Sequence, residues 1–301
     1  MELRHLRYFI AVAEEKSFTA AAEKRLHTTQ PSLSRQIREL EVELGVDLLV
    51  RGSSGLELTP AGHTFKFHVQ LALAQIEAAG EAARRALRAA DASFTIGFLT
   101  GYEVEWLPVV LAILREEMPN VEITVRSQSS PELIGALLRG KVDIAFVRGD
   151  EDASNLGFRF LTKEPLIVIL PKGHPLADRD SIAIQDLANE TFIGVAESAA
   201  PVLRSVIDNY TARANLTLSS GHDADNLPMA ISLVISTPGV SLQPPYVRQL
   251  LPPAVVSRPL SGDVPTIDLS IGYNKTNRSP ILALFLSKID GLIERVSKQA
   301  R

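Results

Sequence analysis

Residues 27–41, HTTQPSLSRQIRELE, place small polar residues, a proline and two arginines ahead of an acidic run. Thr29 is a favourable N-cap residue. Pro31 would fall in the first turn of the helix that follows, where the missing N–H of proline costs nothing. The stretch therefore predicts a helix that begins next to Gln30.

The predicted helix has two different faces. Its apolar residues recur at spacings that keep them on one side: Leu33, Ile37, Leu40 and Leu44. The other side of the N-terminal half carries Gln30, Pro31, Ser34, Arg35 and Arg38. No acid occurs between Glu23 and Glu39, so this half of the helix is basic and polar. It also contains the positive end of the helix dipole. Such a half-helix suits insertion into the major groove of DNA, where Gln30, Ser34 and Arg35 can contact base edges or phosphates.

Short elements surround this helix. Leu3, Leu6 and Phe9 begin a helical repeat, and Ser17 or Thr19 can cap a second helix in FTAAAEK. After Gly45, LLVRGSSGLELT predicts two strands around a Gly/Ser turn, a wing with Arg51 beside its tip. The alternative is a three-helix domain whose charged face is merely solvated.

Composition excludes several classes of protein. The 301 residues suit two or three domains, and the absence of cysteine excludes disulfides and zinc–thiolate sites. The N-terminus lacks the apolar core of a signal peptide, and no apolar run is long enough to span a membrane, so we expect a cytoplasmic protein. The net charge of -4 leaves residues 1–90 nearly neutral, with 12 basic and 11 acidic residues, and residues 91–301 acidic. This charge is compatible with DNA binding, because a DNA-binding protein needs only a local basic surface.

A long alanine-rich segment follows, from about residue 61 to 90. Its small and apolar residues form a heptad seam: Phe65, Val69, Ala72, Ile76, Ala79, Ala83 and Ala86. The seam predicts a dimerisation helix. Pairing of this helix would place two DNA-binding domains, residues 1–60 of each chain and called the head below, on two half-sites of the DNA. A helix docked on its own domain is the alternative.

Residues 91–301 alternate apolar strands with helices. FTIGFL, VEITVRS, KVDIAFV and PLIVILP read as strands, and WLPVVLAILREEM and SPELIGALLRG as helices. Continuous apolar strands between helices predict a parallel sheet covered on both faces.

The head resembles the winged helix-turn-helix of LysR-type transcriptional regulators through MELRHLRYFIAVAEEKSFTAAAEK, TTQPSLSRQIRELEVELGVDLLVR and LTPAG. The resemblance implies that Gln30, Pro31, Ser34 and Arg35 contact DNA. It also implies that residues 61–90 form the linker helix of the family, and that VDIAFVR belongs to its effector domain. That domain resembles periplasmic solute-binding proteins, with two α/β lobes around a ligand cleft. We expect lobe one at residues 91–161 and 268–301 and lobe two at 162–267, with no cofactor besides a small-molecule effector.

Ligands in such folds bind at the carboxyl ends of strands, near helix N-termini. The corresponding positions are Thr100, Gly101, Tyr102, Ser129, Ser130, Arg148, Glu197 and Ser198. Hydroxyls, backbone N–H groups and an arginine suit a small carboxylate. Similarity is closest to family members that govern breakdown of aromatic acids, so an aromatic carboxylate is the expected effector. Arg148 could instead form an ordinary salt bridge, and Ser129 and Ser130 could be only helix caps.

Three departures from the family pattern are visible, and one is the wing tip GSSGLE, where relatives often carry a second arginine or lysine. The chain has AAEKRLH where relatives have one residue fewer, and the extra residue could lengthen the turn or rotate the second helix. Thr237-Pro238 replaces the first of two glycines that relatives carry in LVISTPGVSLQP, which could stiffen this edge and alter the ligand.

These features predict an effector-controlled, DNA-binding transcriptional activator. Dimers, and by resemblance tetramers, would bind an interrupted inverted repeat and could contact RNA polymerase. A regulator that has lost its effector response, or a solute-binding protein, are the alternatives. An enzyme is disfavoured, because the only neighbouring histidines, His63 and His68, would lie 140° apart on a helix.

Overall fold

The computed structural model describes residues 1–52, 55–87, 93–149, 155–218 and 220–299. The chain divides into two compact units, Met1–Ala83 and Arg84–Arg301. The wing tip at residues 53–54 and the last three residues of the expected linker, 88–90, lie outside the described residues.

The first unit begins with three helices and a two-stranded wing. Helix α1 spans Leu3–Glu15, α2 spans Phe18–Ala20 and α3 spans Gln30–Leu44. Strands β1 (Leu49–Gly52) and β2 (Gly55–Leu58) pair antiparallel, as the sequence predicts for a wing. The apolar face of α3 packs into the core of this unit, with Leu33, Ile37 and Leu40 buried against α1 and α2.

The extra residue of the head lies in a π-helical turn. Helix α2 continues without a break as a π-helix over Ala21–Leu26, which ends at His27 with φ of 48°. The N–H groups of His27 and Thr28 both donate to the carbonyl oxygen of Ala22. A π turn holds one residue more than an α turn. The insertion is therefore accommodated inside the second helix, and the link to α3 is shorter than the expected RLHTT.

Helix α4 spans Pro60–Leu87. The start of its seam packs on the head: the Phe65 ring lies 5.2 Å from that of Phe9, and Val69 is buried. Farther along, the seam residues Ala72 and Ile76 are exposed.

The second unit contains a five-stranded sheet in the order β4-β3-β5-β12-β6. Its strands are β3 (Ser93–Leu99), β4 (Glu122–Gln128), β5 (Ile144–Val147), β6 (Leu156–Pro165) and β12 (Thr266–Asn274). Strands β4, β3 and β5 are parallel, but β12 is antiparallel to both β5 and β6. The parallel pairing predicted for FTIGFL, VEITVRS and KVDIAFV is confirmed, but β12 makes this sheet mixed, and the fourth predicted strand, PLIVILP, lies in a separate antiparallel sheet.

Helices cover both faces of this sheet. Helices α5 (Glu103–Glu117), α9 (Pro280–Ser287) and α10 (Ile289–Gln299) enclose an aromatic-rich core that includes Phe98 and Trp106. Helix α6 (Ser130–Leu138) covers the other face. Helix α6 begins at Ser130, so Pro131 is its second residue, a position at which the missing N–H costs no helical hydrogen bond.

A second group of elements forms lobe two. Strand β7 (Ile167–Pro171) lies between β10 (Ser241–Gln243) and β11 (Val255–Pro259), both antiparallel to it. Strands β8 (Phe192–Val195) and β9 (Ser220–Ala224) are parallel, and α7 (Pro201–Arg213), α8 (Leu227–Ser236) and two 3₁₀ turns, Ile184–Leu187 and Pro245–Leu250, complete the lobe. The chain enters it between Pro165 and Ile167, where β6 ends, and returns at Pro265 before β12.

The unusual Thr237-Pro238 pair ends α8. Thr237 is the C-cap residue, and Pro238 has φ of 23°. The pyrrolidine ring favours φ near −65°. Pro238 thus occupies a left-handed conformation that glycine would adopt without strain.

Candidate functional site

The first candidate surface is the polar face of α3. Gln30, Pro31, Arg35 and Arg38 are exposed and Ser34 is half-buried, whereas the opposite face is buried. Among the described residues, Arg35 forms an ion pair only with Glu39 on the same helix, at 3.6 Å between Nε and Oε1. Such an exposed pair is weak, so the guanidinium can exchange it for a phosphate or a base. Thr29 occupies the N-cap position, but its side chain makes no capping hydrogen bond.

The wing is attached to α3 through Glu41. Its Oε1 accepts hydrogen bonds from the backbone N–H groups of Leu48 and Leu49, at 2.8 and 3.1 Å. Arg51 pairs with Leu56 in the hairpin, but its side chain lies outside the described part of the chain. The side chain of Glu41 in α3 thus fixes the position at which the wing begins.

The guanidinium of Arg25 is held by ion pairs within the head. Its guanidinium forms an ion pair with Glu14, and a longer one of 3.9 Å with Glu15. The hydrogen bond to Glu14 raises the pKa of Arg25. The positive charge of Arg25 is therefore tied to α1, whereas Arg35 and Arg38 are exposed on the polar face of α3.

The second candidate site is a cavity of about 470 Å³ between the two lobes. Lobe one contributes mainly polar side chains, and lobe two mainly apolar ones. From lobe one come Leu99, Thr100, Ser127, Gln128, Ser129, Ser130, Glu132 and Arg148; from lobe two come Val195, Ala199, Ala200, Pro201, Val202, Leu203, Ala224, Asp225, Asn226, Leu227, Ala230, Gln243, Pro244 and Tyr246. The size suits a small organic molecule with one polar end.

Three helix N-termini meet at this cavity. In α6 the carboxylate of Glu132 accepts the N–H and hydroxyl of Ser129, which lowers the pKa of Glu132. In α8 the side chain of Asn226 accepts the N–H of Met229. Helix α7 begins at Pro201 with no capping side chain, so its first turn presents backbone N–H groups to the cavity.

Arg148 lies at the polar end of the cavity and is almost fully buried. Its Nη2 donates to Glu164 at 2.7 Å and also to the hydroxyl of Tyr102, and its backbone N–H donates to the hydroxyl of Ser130 at 3.0 Å. The Tyr102 hydroxyl in turn donates to Glu164 at 2.5 Å. Arg148 therefore forms a buried salt bridge, one of the alternatives left open by the sequence, while it also lines the cavity.

The surroundings of this ion pair are aromatic and acidic. Burial raises the pKa of both Tyr102 and Tyr246, whose rings lie 4.0 Å apart, so both stay protonated at neutral pH. Burial, assisted by the charge of Glu164, also raises the pKa of Glu105. The Arg148–Glu164 pair is itself neutral, and the lining also holds the carboxylates of Glu132 and Asp225, so the groups left to attract an anion are helix N-termini such as that of α7.

The structure brings together half of the predicted effector residues. Thr100, Ser129, Ser130 and Arg148 line the cavity. Gly101 and Tyr102 lie behind the cavity wall and are buried. Glu197 and Ser198 are exposed, four and three residues before Pro201, the first residue of α7, which does line the cavity.

The residues that escaped sequence analysis include Glu164, Asn226, Gln243 and Tyr246. Glu164 lies near the end of an edge strand and Tyr246 in a 3₁₀ turn, so no periodic pattern marks either residue. Asn226 did carry a signal, because Asn followed by Leu-Pro is typical of a helix start.

Other chemistries find no support in the described residues. They hold no group of three or more His, Asp or Glu side chains placed to bind a metal ion. Within the same residues, no helix has the length and apolar character needed to cross a membrane.

Comparison with known proteins identifies the two domains in which the candidate sites lie. Residues 3–63 match the model of the bacterial regulatory helix-turn-helix protein, lysR family, and residues 88–290 match the LysR substrate binding domain. The Hca operon transcriptional activator HcaR of Escherichia coli (strain K12) is 37% identical over 299 residues, 99% of this chain and 100% of its own. The transcriptional regulator AlsR of Bacillus subtilis (strain 168) is 36% identical over 286 residues, 95% and 94% of the two chains. The crystal structure of full-length CbnR complexed with target DNA superposes with a TM-score of 0.57 at 25% identity, covering 97% of this chain and 100% of CbnR.

Proposed function

The chain belongs to the LysR family of bacterial transcriptional regulators, and we propose that it couples a small carboxylate in its inter-lobe cavity to DNA binding by α3. As a family member it is a DNA-binding regulator with an effector-binding domain, and not an enzyme. The observation that carries the proposal is the cavity, which joins hydroxyls, a buried arginine and an uncapped helix N-terminus.

The DNA-binding residues we propose are Thr29, Gln30, Pro31, Ser34, Arg35, Arg38 and Arg51. The argument rests on α3, whose exposed half is basic and polar while its other side is anchored in the core. Arg35 and Arg38 lie one turn apart on the exposed side, so both can reach one groove of the duplex. A relative with the same fold, CbnR, has been solved in complex with its target DNA, which supports DNA binding by a chain of this fold.

Arg35→Ala tests the DNA-binding face against a matched control. We expect weaker binding to a fragment from the regulator's own promoter region, measured by fluorescence anisotropy at several salt concentrations. The loss of one phosphate contact should reduce the salt slope by about 1. Arg4→Ala is the control, because Arg4 is also exposed and pairs with an acid, Glu2, but lies outside α3. Equal behaviour of the two variants would contradict the proposed face.

The effector we propose is a small acid, aromatic if the ring packs on the apolar wall. Its carboxylate would lie at the first turn of α7, where Val202 and Leu203 have N–H groups without partners in the helix. The hydroxyls of Thr100 and Ser130 line the opposite side. Apolar residues of lobe two, among them Leu227, would cover the rest of the molecule. The same acid is expected to change the affinity of the full chain for DNA.

The dimer that we propose forms through helix α4. The exposed stripe that includes Ala72 and Ile76 is available to a second copy, and two paired heads would read an interrupted inverted repeat. We further propose a tetramer built from such dimers, acting in the cytoplasm as an activator that can contact RNA polymerase. As domains we propose residues 1–60 for DNA binding, 61–90 for dimerisation and 91–301 for effector binding.

A regulator that binds DNA without an effector is the second candidate. The observation in its favour is that Glu164 already neutralises Arg148, so no unpaired cation was found for an acid among the described cavity residues. An unchanged DNA affinity with every acid tested would select this candidate.

A further inference from the structure

Tyr246 belongs to both lobes of the second unit. It lies in the 3₁₀ turn Pro245–Leu250, directly after β10 of lobe two. Its side chain packs against the aromatic core of lobe one and also against the core formed by β7 and α8 in lobe two. In lobe one its neighbour is Tyr102, with 4.0 Å between ring centroids and 33° between ring planes. Tyr246 is therefore where lobe two rests on lobe one.

Gly101 is the residue that makes this contact possible. Its φ is 100°, and its N–H donates to Glu103 at 2.7 Å, so the backbone is fixed in a left-handed conformation. A Cβ at position 101 would lie 2.5 Å from Cε2 of Tyr246 and 2.9 Å from Cδ1 of Leu250. The first of these atoms belongs to a rigid ring, so any side chain at 101 would have to push the two lobes apart or expel the ring.

The contact also forms part of the cavity. Tyr246 lines the cavity, and the Tyr102 hydroxyl on the other side of the stack contacts Arg148 and Glu164. The position of the Tyr246 ring thus determines both the spacing of the lobes and the room next to the buried ion pair.

We propose that Gly101 and Tyr246 form an inter-lobe stop that sets the closed position of the cleft and so determines the size of effector that it accepts. Gly101 acts as a positioning residue through Tyr246. The inference rests on the proposed function for its consequence, since the cleft matters only if an effector enters it, but the contact itself can be tested without an effector.

The test compares two glycines that differ in one respect. Gly262 also has a left-handed φ, of 84°, but a Cβ there would meet nothing within 4 Å. Gly101→Ala and Gly262→Ala therefore introduce similar backbone strain, and only the first introduces the clash. In the full chain we expect Gly101→Ala to lower the Tm by at least about 4 °C more than Gly262→Ala does. Hydrogen–deuterium exchange of residues 244–251 should rise at least about tenfold in Gly101→Ala alone.

A rescue variant separates the stop from a general structural defect. Tyr246→Ala removes the ring atoms that the new Cβ would meet. Adding Gly101→Ala to Tyr246→Ala should therefore lower the Tm much less than Gly101→Ala lowers it in the wild type. If Gly101→Ala does not fold, Tyr246→Ala alone still decides, because the stop predicts faster exchange at residues 99–103 across the cleft. Equal effects of the two glycine variants, an undiminished cost in the Tyr246→Ala background, or unchanged exchange at 99–103 would each overturn the stop.

Binding of aromatic acids of two sizes, benzoate and 2-naphthoate, distinguishes the stop from the proposed function. A wild-type chain that binds neither, together with the exchange changes above, would keep the stop and remove these two acids as effectors. If benzoate binds the wild type, Tyr246→Ala should shift the preference towards 2-naphthoate, and an unchanged preference would overturn the role in size selection.

Discussion

Arg148 illustrates how much one buried charge depends on its neighbours. Removing the arginine alone would leave Glu164 uncompensated beside the Tyr102 hydroxyl, which typically costs about 3–5 kcal/mol. A simple alanine variant would therefore confuse loss of fold with loss of ligand binding. The pair must be removed together if its function is to be tested.

Glu105 gives a pH-dependent prediction at the residue scale. Burial raises its pKa above the usual 4.5, so the folded chain holds this proton more tightly than the unfolded chain does. The free energy of unfolding must then fall as pH rises from about 4.5 through the raised value, and the loss persists at pH 7. Glu105→Gln should be more stable than the wild type at pH 7, by less than about 1 kcal/mol because water screens the half-buried group, and no more stable near pH 4. Denaturant unfolding at both pH values tests this, with exposed Glu122→Gln as the control; equal gains in both variants would contradict it.

At the scale of elements, the head was the most predictable part. Helix α3, its buried face and the wing are all where the pattern places them, because short-range periodicity and capping determine them. The mixed sheet was not predictable, since continuous apolar strands such as β5 and β7 indicate burial on both faces but not strand direction. The cavity was half predictable: strand ends identified its lobe-one wall, whereas Tyr246 reaches it only through the tertiary fold.

The π-helical turn gives an element-scale prediction. Deleting exposed Lys24 removes the extra residue, so the segment Ala21–Leu26 should become α-helical with the head still folded. Deleting exposed Arg7 from α1 is the control, because in an ordinary α-helix it rotates Phe9 and Val12 by about 100° away from the core. We expect a change of less than about 1 kcal/mol in stability for the first deletion and several kcal/mol for the second, by thermal unfolding followed with circular dichroism. Similar losses would mean that the π turn does not absorb the insertion.

At the scale of the whole molecule, assembly depends on the exposed stripe of α4. Ile76 is 40% exposed in the single chain, and a second helix would cover it. Ile76→Glu should bury a charge in that interface and shift the oligomer towards monomers without lowering the Tm of the monomer. Sedimentation velocity measures the shift. Gln70→Glu, on a different side of α4, should leave the oligomer intact; dissociation of both variants, or of neither, would contradict pairing through this stripe.

The central claim is that an acid in the inter-lobe cavity controls the regulator. Its most direct test is thermal melting of the full chain against a panel of aromatic and aliphatic carboxylates, for the wild type and for Ala200→Asp, which places a carboxylate at the N-cap of α7 where that of the effector would lie. A ligand that binds the native state must raise the Tm by mass action. We predict a saturable rise with at least one acid in the wild type and none with that acid in Ala200→Asp. An equal rise in both proteins, or no rise with any acid, would contradict the claim.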